Sequence, residues 1–205
     1  MRMLAIECAT EACSAALFED GALLAGELRV LGRGHAEALI PMIAALPGRG
    51  QAQRIVVSRG PGSFTGLRVG LAAARGLALA WQAQVLGYPT MALVAAMARA
   101  QLGAVPVSTA MSGGHGEWFL GEFGAAGECL AGDRSLAPAA ATAAAQAKLV
   151  AGNQAEALVA ARGWGTAVPL LPDARCALLL GADLFVPDPQ LYYGRAPDAR
   201  LPGAA

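Results

Sequence analysis

The chain has 205 residues, of which 56% are hydrophobic and only 15% are charged, and its formal net charge is zero. This composition supplies enough apolar surface for one large domain or two small ones and argues against a disordered chain. A protein without excess positive charge does not hold nucleic acid by neutralising phosphates alone. No uncharged apolar run reaches the roughly 18 residues of a membrane span, and no signal-peptide pattern is present, so we expect a cytosolic protein.

Neither the cysteines nor the histidines are spaced like zinc ligands. The four cysteines include no Cys-x-x-Cys pair, and only two histidines are present. These residues are Cys8, Cys13, Cys129, Cys176, His35 and His115. Because a zinc site needs closely arranged Cys and His ligands, we predict reduced cysteines in the core and no metal ion of the protein's own.

The first third of the chain begins with a predicted strand and a β-hairpin. Met3 to Ile6 form a short apolar run, and residues 13–18 and 22–30 flank a Glu19-Asp20-Gly21 turn. An Asp-Gly pair between apolar runs is a strong hairpin signal. An amphipathic helix is then expected from His35 to Leu46, where Pro41 predicts a kink or a late start.

A glycine-rich motif, Gly60-Pro61-Gly62-Ser63-Phe64-Thr65-Gly66, is the most distinctive feature of the sequence. It follows a β-branched run at 54–57 that is typical of a buried strand. It precedes a helix, Gly66 to Trp81, whose only charged residues are Arg68 and Arg75. The Gly-Pro-Gly triplet ends the strand, and the hydroxyl groups of Ser63 and Thr65 can cap the helix.

That helix carries a row of small residues, Gly66, Gly70, Ala74 and Ala78, spaced four residues apart. Interior glycines cost about 1 kcal/mol each relative to alanine, so the row requires a compensating close contact. Two interpretations stay open at this point. Either the row packs on the protein's own sheet, or it forms a seam with a helix of a second subunit.

The remaining elements alternate between strands and helices, which predicts an α/β fold with a mainly parallel sheet after an antiparallel meander. A second, smaller unit is expected to begin near residue 104, which gives domains 1–103 and 104–205. Strands are predicted at 84–88, 105–109, 117–123 and 148–152, and helices at 91–101, capped by Thr90, at 154–162 and at 172–184. The proline-rich tail, residues 187–205, is expected to lie over the surface.

Two motifs offer weaker indications of a ligand. The N–H groups around Gly62 and Ser63 could hold an anion at a helix start, although the motif lacks the spacing and the lysine of a P-loop. Glu7, with Thr10 after the same first strand, could face a nucleotide and Mg²⁺. The simpler alternatives are a strand-to-helix turn and a lone acidic residue.

The sequence resembles the TsaB family at three places: residues 3–14, residues 35–41 and, above all, Gly60 to Gly70. The tail segment Tyr193-Gly194-Arg195-Ala196-Pro197-Asp198-Ala199 is similar to the family's Tyr-x-Arg-x-Pro-Asp-Ala signature. The resemblance is dense over residues 1–100, sparse over 101–187 and present again at the end. The order and context of the Pro-Gly-Ser-Phe-Thr-Gly block make it highly specific.

The resemblance implies an actin-like, Hsp70-like ATPase fold with two related ribonuclease-H-like units. It implies a noncatalytic subunit of the bacterial tRNA threonylcarbamoyladenosine complex, which pairs with the catalytic subunit TsaD, with the ATPase TsaE, or with itself. ATP and threonylcarbamoyl-adenylate would be used by the complex, and tRNA would be met only through it. The implied interface residues are His35, Leu39, Met42, Ile43, Leu46, Phe64, Gly66, Leu67, Gly70, Leu71, Ala74 and Leu77.

The sequence departs from the family pattern at the positions expected to face a ligand. Glu7 stands where the family usually has Asp, and Ser112-Gly113-Gly114 replaces an Asp-Ala-Arg stretch. The alternative function, an ATP- or metal-dependent transferase or a metallopeptidase-like enzyme of the same superfamily, requires a His-containing metal motif. The corresponding stretch, Tyr88 to Met97, contains no His, Glu, Asp or Cys, so the sequence favours a noncatalytic protein.

Overall fold

The computed structural model describes residues 1–194, in which the chain forms a six-stranded and a five-stranded sheet. The strands of the first sheet are β1 (Arg2–Glu7), β2 (Ala12–Glu19), β3 (Ala22–Val30), β4 (Arg54–Ser58), β5 (Gln84–Tyr88) and β11 (Val186–Pro187). Those of the second are β6 (Val107–Ser112), β7 (Trp118–Phe123), β8 (Cys129–Leu136), β9 (Leu149–Ala151) and β10 (Thr166–Val168). The helices are α1 (His35–Ala45), α2 (Phe64–Trp81), α3 (Thr90–Leu102), α4 (Pro138–Ala144) and α5 (Ala155–Arg162).

The two sheets have the same strand order, except that β11 is added antiparallel to β5 at the edge of the first sheet. The first runs β11-β5-β4-β1-β2-β3 and the second runs β10-β9-β6-β7-β8. In each, three parallel strands are followed by an antiparallel pair, because a hairpin continues from the first strand of the unit while the later strands are added through helical crossovers. This repetition confirms the expected fold of two related α/β units.

Helix α3 lies in the core between the two units. Its residues from Thr90 to Ala98 are all buried, and it contacts β6, β7 and β9 of the second sheet. A helix that is apolar on every side is stable only when it is enclosed. The same apolar cluster includes Tyr88 from the first sheet and Phe119 from the second. The chain after β10 returns to the first sheet, where β11 pairs with β5. The division into domains 1–103 and 104–205 stays a prediction.

Several predicted elements have different ends in the structure. Helix α1 begins at His35 and continues through Pro41, so a late start is wrong. Thr90 does not cap α3: its hydroxyl has no hydrogen-bond partner, and its N–H donates to Gly60 O. The helix predicted at 172–184 is two short 3-10 turns, Ala174–Leu179 and Ala182–Leu184. The extended Leu180 and Gly181 between these turns prevent a continuous helix.

The described part of the tail, residues 187–194, makes specific contacts with the first sheet, with β8 and with the chain before α2. Its start pairs with β5 as β11, and Tyr192 donates its N–H to Arg59 O at 2.7 Å and its hydroxyl to Asp133 O at 2.9 Å. Strands β8 and β10 were not predicted. A strand is predicted from a run in which apolar and polar residues alternate. Strand β10 has only three residues, and β8 pairs with β7 through two register shifts, so neither strand has a long regular run of this kind.

Candidate functional site

The glycine-rich motif is a strand-to-helix turn that packs against the end of β1. Ser63 caps α2, because its Oγ accepts the N–H of Gly66 at 3.2 Å. The N–H of Ser63 donates to Ala9 O at 2.7 Å. A Cβ at Gly62 would overlap Ala9, and one at Gly66 would overlap the carbonyl oxygen of Cys8. Since Ser63 and Gly66 already use their N–H groups inside the protein, the expected anion site is not available at these two positions.

The row of small residues on α2 faces the protein's own sheet. A Cβ at Gly70 would touch Ile6, Cys8 and Val57 at 3.4–3.6 Å, and Ala74 is fully buried. The interpretation of this row as a seam with a second subunit is therefore wrong. Glycine and alanine are needed here because α2 lies close to β1 and β4.

Most residues named for the interface lie in the core of the chain itself. The buried ones are His35, Leu39, Met42, Ile43, Leu46, Gly66, Leu67, Gly70, Leu71 and Ala74. His35 holds α1 in place, because its Nε2 lies 2.8 Å from Thr10 O and 3.2 Å from Ala12 O. Only Phe64 and Leu77 of the named set reach the surface. The amphipathic pattern identified the apolar face of each helix, and that face points inward.

Apolar residues on the solvent-facing sides of α1 and α2 form a surface, which we call the α1–α2 face, and the exposed Glu37 and Arg75 lie beside it. It consists of Ile40, Ala44, Ala72, Ala73, Gly76, Leu77, Leu79, Ala80 and Trp81. Leu79 is 86% exposed and Ile40 is 46% exposed. Between the helices lies a groove of about 330 Å³, bordered by Ile40, Ile43, Leu77 and Trp81. Exposed apolar patches are common at the interaction sites of proteins.

A cation–aromatic cluster stands at the start of α2, where the tail crosses it. The guanidinium of Arg68 lies 3.6 Å from the ring centre of Phe64, and its Nε donates to the hydroxyl of Tyr193 at 3.1 Å. The rings of Phe64 and Tyr193 are 4.9 Å apart. Tyr193 and Gly194 begin the predicted tail signature. The rest of that signature, residues 195–199, lies outside the described residues.

Glu7 is completely buried and does not face a ligand in this structure. Its Oε1 accepts the N–H of Ala9 at 2.7 Å, and its Oε2 lies 3.2 Å from the hydroxyl oxygen of Tyr88. Burial raises the pKa of Glu7 from 4.5 to about 7, against the opposite effect of the hydrogen bond from Ala9. The Oγ1 of Thr10 is used within its own loop, where it accepts the N–H of Ala12 at 3.2 Å.

A polar contact joins the two units between Glu11, after β1, and Asn153, after β9. Asn153 donates from Nδ2 to both carboxylate oxygens of Glu11 at 3.1 Å, and its Oδ1 accepts the N–H of Ser112 at 2.8 Å. Gln154 also donates to the hydroxyl of Ser112, at 2.7 Å. Ser112, one of the positions that depart from the family pattern, thus contacts Asn153 within the second unit, and Asn153 in turn contacts Glu11 of the first.

Within residues 1–194, no three His, Cys, Asp or Glu side chains are grouped so that they could hold a metal ion. None of the helices in that range combines the length and the apolar character that crossing a membrane requires.

Comparison with known proteins identifies the family. Residues 29–177 match the family model described as TsaD, tRNA N6-adenosine threonylcarbamoyltransferase, which covers well over half of the chain. The tRNA threonylcarbamoyladenosine biosynthesis protein TsaB of Escherichia coli (strain K12) is 38% identical over 128 residues. The chain belongs to the TsaB family. The alignment spans 60% of the chain and about half, 55%, of the Escherichia coli protein.

Solved structures extend the similarity over nearly the whole chain. YeaZ from Pseudomonas aeruginosa superposes with a TM-score of 0.78 at 27% identity, covering 94% of this chain and 99% of the other. The ethanolamine utilization protein EutJ from Carboxydothermus hydrogenoformans shares only the fold, with a TM-score of 0.51 at 12% identity over 88% of this chain and 90% of the other. The TsaB member therefore has the actin-like, ribonuclease-H-like fold that the sequence predicted.

Proposed function

We propose that this TsaB member is a noncatalytic subunit in tRNA threonylcarbamoyladenosine biosynthesis, and that it binds a TsaD-like catalytic subunit through the α1–α2 face. The names of the matching TsaB proteins support the pathway. A TsaE-like ATPase is the further partner. ATP and threonylcarbamoyl-adenylate would be used by the complex in the cytoplasm, and this chain would meet tRNA only as part of it.

The α1–α2 face is the observation that carries the proposal. Leu79 stands 86% exposed in the middle of a helix side whose neighbours Ala72, Gly76 and Ala80 are also apolar. Arg75 is exposed one turn before Leu79 and directs its guanidinium to Pro189 O, so the apolar residues themselves remain open to solvent. A contiguous group of exposed apolar side chains is typical of a surface that a partner covers. The side chains of Arg68 and Arg75 reach toward the tail. Arg49 lines one end of the groove, and Glu37 is exposed on α1 one turn before Ile40.

A partner with a similar helix pair would fit this surface. Two helices from each chain can form a four-helix bundle, and stable interfaces bury roughly 1,200–2,000 Å² in total. The small side chains at Ala44, Ala73 and Ala80 allow helices to approach closely. Because a second copy and a TsaD-like subunit would use the same face, homodimer and heterodimer should compete.

Two features of the chain support the noncatalytic role: the burial of Glu7 and the composition of the stretch from Tyr88 to Met97. Glu7, the acid at the end of β1, is fully buried, and the His-containing motif of the catalytic relatives has no counterpart at Tyr88 to Met97. A transferase or peptidase of the alternative class would need an exposed set of acid, base or metal-binding side chains. If the chain alone turned over substrate, and a point variant of this chain abolished that turnover, the noncatalytic role would be refuted.

The proposal is tested by placing a charge on the α1–α2 face. Leu79→Arg and Ile40→Arg alter exposed positions, so both proteins should keep the melting temperature of the wild type. Sedimentation should show loss of self-association and of the complex with the TsaD-like subunit, and tRNA modification by the reconstituted complex should fall. Leu130→Arg is the matched control, because Leu130 is 61% exposed on β8 of the other sheet.

The control variant should assemble and support modification like the wild type. If Leu79→Arg and Ile40→Arg both assembled normally, the interface would lie elsewhere on the chain. If complexes assembled but modification failed, the face would serve a step after assembly and the proposed pairing would be wrong.

A further inference from the structure

The connection between β1 and β2, residues 8–11, together with the first residue of β2, contacts both helices that bear the α1–α2 face. We call it the β1–β2 loop. Ala9 O accepts the N–H of Ser63, and the carbonyl of Cys8 lies against Gly66, so the loop sets the start of α2. The carbonyl oxygens of Thr10 and Ala12 both lie within hydrogen-bond distance of His35 Nε2, at the first residue of α1.

The same loop also contacts the segment before α1 and the second unit. Glu11 O accepts the N–H groups of Leu31 and Gly32 at 2.9 and 3.0 Å. The side chain of Glu11 accepts two hydrogen bonds from Asn153. A small displacement of this loop therefore reaches the starts of both helices through hydrogen bonds and direct packing.

Two cysteines stand at the base of the loop, one on each side. The pairing of Glu7 with Ser14 is the last of the β1–β2 ladder, and Cys8 and Cys13 occupy the next facing positions. Their sulfur atoms are 3.6 Å apart, and both side chains are fully buried. Facing residues on neighbouring antiparallel strands have the separation that a disulfide requires. Both thiols are reduced in this structure.

We propose that Cys8 and Cys13 form a reversible intrachain disulfide when the chain meets hydrogen peroxide, and that this bond weakens pairing through the α1–α2 face. The part about pairing rests on the function proposed above. Bond formation would bring the sulfur atoms from 3.6 Å to about 2.05 Å. Because interiors are closely packed, the loop carbonyls that hold Ser63 and His35 must move with them.

The chemistry needs only the two thiols and the peroxide. The two sulfur atoms are in hydrogen-bond contact and either can be the donor, so one thiol can stabilise the thiolate of the other. The attacking thiolate in the proposed reaction is Cys13. Cys13 attacks one peroxide oxygen, the O–O bond breaks, and the departing hydroxide takes up a proton. The thiol of Cys8 then attacks the sulfenic sulfur and water leaves. Two thiols lose two electrons and two hydrogens, and one peroxide becomes two waters.

The disulfide can be measured on the chain alone. Cleavage after Arg2 and Arg29 yields a peptide, residues 3–29, that contains both Cys8 and Cys13 and no other cysteine. Hydrogen peroxide should remove two hydrogens from its mass, and dithiothreitol should restore them. In Cys13→Ala this loss should not occur, and Cys8→Ala is a second variant for the same test if the first does not fold.

Oxidation of the exposed thiol of Cys129 shows that enough hydrogen peroxide was added. An unchanged 3–29 peptide, under conditions in which the thiol of Cys129 is oxidised, would overturn the proposal.

The effect on pairing is measured with the purified TsaD-like subunit, in a Cys129→Ser background. Oxidation should weaken binding of the chain by about tenfold, within the usual range of coupling between sites. The same treatment of Cys13→Ala should leave binding unchanged. Equal affinity of the reduced and oxidised chain, with the disulfide present, would overturn the inference. Failure of the reduced wild-type chain to bind the subunit would instead refute the proposed function.

Discussion

Replacing Glu7 by glutamine should make the protein more stable at neutral and alkaline pH, although Glu7 is a buried and hydrogen-bonded residue. The hydroxyl of Tyr88 has one hydrogen and two neighbouring acceptors, Ile6 O at 2.9 Å and Glu7 Oε2 at 3.2 Å. If that hydrogen goes to the closer carbonyl, the contact with Glu7 is favourable only when the carboxyl group itself carries a proton. A glutamine amide can donate to Tyr88 in the same way and accept from Ala9.

The magnitude follows from the pKa of Glu7, which burial raises from 4.5 to about 7. Each pKa unit corresponds to about 1.4 kcal/mol, so the ionised form costs about 3 kcal/mol of folding stability. Below pH 4.5, Glu7 is protonated in both states and no penalty applies. As the pH rises to 7, the unfolded chain ionises first and stability falls. Above pH 7 the penalty of Glu7 is complete and constant.

Thermal unfolding of the wild type and of Glu7→Gln between pH 4.5 and 8 tests this expectation. The two proteins should unfold at similar temperatures at pH 4.5. At pH 8 the variant should unfold about 6–12 °C higher, on the usual relation between free energy and melting temperature for a chain of this size. Glu156→Gln is the control, since Glu156 is exposed on α5 and the change of charge is the same. Its difference from the wild type should be small and should change little with pH.

A Glu7→Gln protein that is less stable than the wild type at pH 8 would refute the reasoning, because it would mean that Glu7 is ionised and well solvated by its hydrogen bonds. The same variant also tests the role of Glu7 in function. Modification by the reconstituted complex should continue at the wild-type rate, whereas a large loss with the complex intact would show that the acid is used.

Two further expectations concern packing and the contact between the units. Gly66→Ala should severely lower the free energy of unfolding measured in chemical denaturation, because the new Cβ would overlap the carbonyl of Cys8. Gly76 has open space around it, so Gly76→Ala should raise the free energy of unfolding by about 0.5–1 kcal/mol. Equal effects of the two substitutions would contradict the packing of α2 on β1. Asn153→Ala should cost about 1 kcal/mol and increase hydrogen exchange at the N–H of Ser112, which Asn153 accepts. Unchanged exchange at that position would show that the hydrogen bond from Ser112 to Asn153, which orients Asn153 toward Glu11, is not kept in solution.

The local signals of the sequence were sufficient for most of the first unit. The Asp20-Gly21 turn, the β-branched run at 54–57 and the Gly-Pro-Gly interruption each act within a few residues, so they predicted the hairpin, β4 and the start of α2 at nearly the observed positions. Elements with weak local patterns were missed or wrong. Strand β10 has three residues, and the segment 172–184 is held by contacts such as Ala174 N–H to Ser14 Oγ, 160 residues away in the chain.

The direction of the helix faces was decided only by the tertiary structure. The sequence determined that α1 and α2 are amphipathic and that α2 has a row of small residues, but a small-residue row suits a neighbouring sheet and a neighbouring subunit equally well. The position of β1 resolved this choice, because the carbonyl of Cys8 occupies the space beside Gly66. With that side of α2 enclosed, the opposite side, which carries Ala72, Gly76, Leu79 and Ala80 together with Arg75, faces solvent.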